Sequence, residues 1–142
     1  MSSGINQIEI LRIFKDMLVK FLDALIEQLP QESDLIVLRI MLGEQIPIEE
    51  VLSIFCERIL PYTDYIFKHD ERFFIECTDV FEGIKSDKVS YFKRLYQSPT
   101  FSQQDRLNIW KWFENFAKLA IKYRPFLDPK RLAVIDSKTI KL

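Results

Sequence analysis

Glycine is scarce: only Gly4, Gly43 and Gly83 occur in 142 residues. Sandwiches and βαβ folds draw on many tight turns, so this scarcity argues against both. There is one histidine, His69, and two cysteines, Cys56 and Cys77. A structural zinc site takes about four such ligands, one more than the chain has. No EF-hand, phosphate loop, Gly-rich dinucleotide fingerprint or His-Glu-x-x-His pattern occurs. No apolar run approaches the ~20 residues of a membrane span. The opening Met1-Ser2-Ser3-Gly4 is polar without a basic stretch, and no Asn-x-Ser/Thr sequon follows. The expectation is an intracellular, reduced protein with no membrane partner and no cofactor, whose thiols are small core hydrophobes rather than a disulfide.

What is present is apolar periodicity. Hydrophobic residues make up 48% and charged residues 29% of the chain, a globular balance that suits one domain. Ile8, Leu11, Phe14, Leu18, Phe21, Leu22, Leu25, Ile26 and Leu29 recur at three- and four-residue steps, which predicts a long amphipathic helix ended by Pro30. A second helix is expected from Glu32 or Ser33 to Leu42, with Gly43 as its stop; Leu35-Ile36-Val37-Leu38 alone would also suit a strand. A third starts at Pro47 with Glu49 and Glu50 in its first turn. At Pro61 it either breaks or kinks and continues to Lys68. Short helical pieces are expected at 72–76 and 80–82, then a helix capped by Ser86 or Asp87 with Val89, Phe92, Leu95 and Tyr96 on one face. Ser102 and Asp105 form a capping-box pattern for a helix reaching about Tyr123. Asp128-Pro129 is a cap and first turn for a short basic helix. The fold class is therefore all-α, a compact five- to seven-helix domain. Its long N-terminal helix and the apolar helix near 102–123 form the main buried elements. Residues 1–124 form the domain and 125–142 a basic extension.

The near-neutral net charge of −1 conceals an asymmetry. Residues 1–87 carry 8 basic and 17 acidic side chains, and residues 88–142 carry 12 and 4. The halves either compensate within one molecule, meet opposite halves of neighbours or partners, or present the basic half to nucleic acid. The basic residues Lys88, Lys93, Arg94, Arg106, Lys111, Lys118, Lys122, Arg124, Lys130 and Arg131 spread over several elements with no dense run.

The helix near 102–123 is unusual. At ~100° per residue, Lys111, Glu114, Asn115, Lys118 and Lys122 share an arc of roughly 100° and the apolar arc is roughly 200° wide. Trp110 and Trp112 lie near its opposite edges. Either neighbours cover both edges, or one edge stays open for a partner, with Trp110, Trp112, Phe116 and Tyr123 as candidate partner-binding residues.

No catalytic constellation is legible. His69, in Phe67-Lys68-His69-Asp70-Glu71, reads as a solvated or capping residue at a helix end. A small enzyme would have to join it to Cys77, and nothing marks an electropositive pocket there.

Phe21-Leu22-Asp23-Ala24-Leu25-Ile26-Glu27-Gln28-Leu29-Pro30, Ile46-Pro47-Ile48-Glu49-Glu50-Val51, Ile109-Trp110-Lys111-Trp112-Phe113 and Leu119-Ala120-Ile121-Lys122-Tyr123 resemble uncharacterised helical proteins of nucleocytoplasmic large DNA viruses. The resemblance spans about residues 8 to 124. It implies a viral origin, with host cytoplasm or virion as the setting, and places no activity on any residue. The expected function is a non-enzymatic interaction or structural protein, with a nucleic-acid-binding accessory protein as the alternative.

Overall fold

A computed structural model describes residues 6–76 and 86–138, with the side chains of 86–88 outside that description. Cys77 and the piece expected at 80–82 lie outside the described residues. Among the described residues the protein is all helix and loop, with no strand.

Helix α1 spans Gln7–Gln28, its first turn capped by the Asn6 side chain accepting from the Glu9 amide at 2.8 Å. Its stripe buries Ile10, Leu11, Phe14, Leu18 and Leu22. Ile8, expected on that stripe, is exposed at the first turn.

Helix α2 spans Ser33–Ile40, so the strand alternative for 35–38 falls away. It does not stop at Gly43. The chain passes into a π-helical turn, Met41–Gln45, closed by the Ile46 amide donating to the Met41 carbonyl at 2.9 Å.

Helix α3, Ile48–Ile59, follows Pro47 with Glu49 and Glu50 in its first turn. Pro61 sits in a 3-10 turn, Leu60–Tyr62, and helix continues as α4, Thr63–Phe67. The proline, lacking a backbone donor, kinks the path without ending it. Short α5 is Arg72–Ile75, α6 is Ser86–Gln97, and α7 is Gln103–Tyr123. Both arms of the α7 capping box form: Asp105 N–H donates to Ser102 Oγ at 3.1 Å, and Ser102 N–H to Asp105 Oδ2 at 2.8 Å. A 3-10 turn, Arg124–Phe126, leads to α8, Pro129–Ser137, capped by the Asp128 side chain.

α7 is the centre. Phe116, Leu119, Ala120 and Tyr123 join Phe14, Leu52 and Cys56 in one apolar cluster; Trp110 and Ala117 join Ile59, Tyr62, Ile66 and Phe73 in another. A third, Leu29, Leu35, Tyr96 and Phe101, packs against Ile109. α1 runs antiparallel to α7: Gln7 Nε2 donates to Tyr123 Oη at 3.2 Å, while Phe21 meets Trp112 farther along. Cys56 is a buried core hydrophobe, its thiol pushed up to about 12 by burial first and by Glu57 second. Leu127 and Ile135 are buried in the first cluster, so α8 packs onto the same core as α1, α3 and α7.

Candidate interaction surface

The wide apolar arc of α7 is covered on both sides. Phe116 sits among Phe14, Phe21 and Phe55, ring centroids 5.2–5.8 Å away. Trp110 is 3% exposed, packed on Phe74 at 4.5 Å and stacked on His69 at 5.2 Å. Tyr123 is buried, its hydroxyl bonded to Gln7. Trp110, Phe116 and Tyr123 are thus corrected from partner surface to core. Two walls of neighbours, α1 and α3 on one side and α4 and α5 on the other, cover what one could not. Trp112 alone of the four is half-buried, against Phe21 and Phe116, in a groove of about 280 Å³ between α1 and α7.

The basic residues do not form one patch. Lys111, Lys118 and Lys122 are exposed in line on α7, Arg94 is exposed on α6 and Lys130 on α8. Arg124 instead pairs with Asp136 at 2.6 Å. Arg131 pairs with Glu50 at 2.6 Å and Glu57 at 3.1 Å, joining α8 to α3 across the charge divide. Lys93 is half-buried at an apolar cavity, and the Lys88 side chain lies outside the described residues.

His69 is corrected in part. It has φ 53°, and its Nε2 meets Glu114 Oε1 while its ring lies on Trp110. The chain reverses there after α4, and histidine tolerates the left-handed region better than most residues. It does stand at the end of α4, as its sequence context suggests, but its partly exposed ring is partnered and latches α4 to α7. A cleft of about 580 Å³ opens beside it, lined among others by Glu71, Tyr96 and Arg106. The Arg106 guanidinium is already engaged by the carbonyls of Tyr96 at 2.8 Å and Ser98 at 3.0 Å. The Tyr96 hydroxyl donates to Glu71 at 3.4 Å; burial first, then the Glu71 charge, pushes it up to about 12.

The open apolar surface lies on α2 instead. Leu35 faces inward at 4% exposure, while Ile36, Val37, Ile40 and Met41 are 39–54% exposed. At ~100° per residue these four occupy an arc of roughly 140° turned to solvent. Exposed Asp34 precedes Val37 by one turn, and exposed Glu44 stands one turn after Ile40. Contiguous exposed apolar groups mark interaction sites far more often than scattered ones. The π turn that follows is a conformation enriched at functional positions. The available signal was a helix whose apolar residues leave no polar face; only the three-dimensional neighbours reveal which part stays uncovered.

No known protein family, curated protein or solved structure matches the chain. Among the described residues no helix is long and apolar enough to cross a membrane.

Proposed function

We propose that this chain is a non-enzymatic interaction protein that assembles head to tail, the outward face of α2 docking on the basic face of α7 in a second copy. The observation that carries this reading is the exposed face of Ile36, Val37, Ile40 and Met41 between Asp34 and Glu44. On α7, exposed Ile121 lies beside the row of exposed Lys111, Lys118 and Lys122, about 60° round the helix from Lys118. The two surfaces are complementary in charge, an apolar face with acidic flanks against a basic row edged by an exposed isoleucine. Two α2 faces meeting each other would oppose acid to acid, which disfavours a symmetric pair. A contact between different surfaces of one molecule repeats into a ring or filament. The viral setting implied by the resemblance suits a component that builds by repetition.

Light scattering across concentration and salt tests it. Mass is expected to rise with concentration at low salt and fall toward the monomer at high salt, because exposed charges are screened. A monomer under every condition overturns self-assembly.

Nucleic acid is the second reading, favoured by Lys111, Lys118 and Lys122 in line on one solvent face. Three phosphate contacts give a weak, steeply salt-dependent association. Titration with duplex and single-stranded DNA and RNA at two ionic strengths checks it, and no binding at low salt removes it.

A further inference from the structure

The lysine row of α7 has two edges. Exposed Ile121 lies at one, and the groove of about 280 Å³ between α1 and α7 opens along the other. Half-buried Phe21 and Leu25 from α1, with Ile109 and Trp112 from α7, form the apolar floor of the groove. Ala24 stands at its α1 edge, where a methyl group raises no wall. Its α7 edge is exposed Lys111, continued beyond the groove by Lys118 and Lys122. Asp105, the carboxylate in the lining, accepts from the Ser102 amide at 2.8 Å within the α7 cap. An open seat, apolar at the bottom and polar at the rim, suits protruding side chains of another protein, and tryptophan is a common anchor in such seats.

We propose that this groove receives the outward face of α2 from a second copy, with Ile36 and Ile40 seated on Trp112 and Ala24. The inference rests on the head-to-tail reading and names the seat within it. Size and charge argue for this occupant. The groove runs about 10 Å along α1 from Phe21 to Gln28, and the α2 face from Ile36 to Met41 spans about 8 Å. Ile36 and Ile40 are one turn apart on one side of α2, a spacing that places both side chains in one groove. Glu44, exposed beyond them, then lies against the Lys111 rim, and the pairing of unlike charges sets the direction of the docked helix. Ile121 offers a single side chain at the other edge of the row, whereas the groove offers a concave apolar floor.

Isotope-filtered NMR on an equimolar mixture of two labelled forms of the full chain tests the seat. One form carries labelled isoleucine methyls and the other protonated tryptophan in a deuterated background. Cross-peaks are expected between the Ile36 and Ile40 methyls of one copy and the Trp112 ring of another, growing with concentration. The Trp112 indole signal should shift with them, while that of buried Trp110 stays in place. Ala24→Gln lays a long neutral side chain across the groove and keeps the lysine row. It should weaken association about tenfold with helicity unchanged. Association in which Ile36 and Ile40 contact Ile121 and not Trp112, or in which Ala24→Gln assembles as well as the native chain, overturns the seat and leaves the head-to-tail reading standing. A chain that is monomeric under every condition overturns both. Where Ala24→Gln fails to fold, the cross-peaks and the Trp112 signal decide.

Discussion

Trp110 and Trp112 stand two positions apart on α7 and report two environments. Trp110 lies under His69 and Phe74, whereas Trp112 borders the α1–α7 groove. A Trp112→Phe variant should therefore emit from a shielded indole that acrylamide barely quenches, and the native chain should show an additional quenchable component. Phe116 is 1% exposed at the meeting of three phenylalanine rings. Its replacement by alanine should cost about 3–5 kcal/mol in urea unfolding, since it removes transfer energy and leaves a cavity. Two half-buried carboxylates contribute to the acid limit. The Arg72 side chain holds Asp70 below the usual carboxylate range, and the Ser102 amide does the same for Asp105. A lowered folded-state value means each stabilises the fold fully above the ordinary value of about 4, and that contribution is lost as pH falls through the lowered value. Urea midpoints should hold between neutrality and about pH 5 and decline below about pH 4. Asp105→Asn should make that decline shallower.

At the scale of elements, local signals were legible and long-range ones were not. The Ser102–Asp105 box, the Asp128-Pro129 start and the long stripe of α1 depend on residues within a turn or two, so spacing reveals them. Ser102→Ala should cost about 1 kcal/mol by removing one arm of the cap, measurable in the same urea series. Gly43 shows the opposite case. It reads as a left-handed stop, yet the chain runs through it in a π turn. A β-carbon there would stand 3.6 Å from Val19, an ordinary contact. Gly43→Ala should thus stabilise the protein by about 0.4–1 kcal/mol through loss of unfolded-state freedom, and a lower urea midpoint would contradict that backbone assignment. The candidate site was the least legible part. His69 meets Glu114 across 45 residues, and periodicity carries no information about such a pairing. The α7 arc was visible, but not that α1, α3, α4 and α5 would cover it and leave α2 open.

At the scale of the whole molecule, the charge asymmetry has two fates. Part of it is consumed internally, where Arg131 meets Glu50 and Glu57. The rest faces outward, acidic around the apolar face of α2 and basic along α7. Under the head-to-tail proposal the two unlike surfaces join copies into a ring or a filament, and each surface can be broken alone. The most direct test combines two variants. Ile36→Ser with Ile40→Ser removes the α2 face; Lys118→Glu with Lys122→Glu reverses the α7 face. All four positions are exposed, so stability should change little. Each variant alone should sediment as a monomer. An equimolar mixture should form a one-to-one dimer that grows no further, because each copy supplies the surface the other lacks. A mixture that stays monomeric, or a single variant that still associates, would contradict the head-to-tail account.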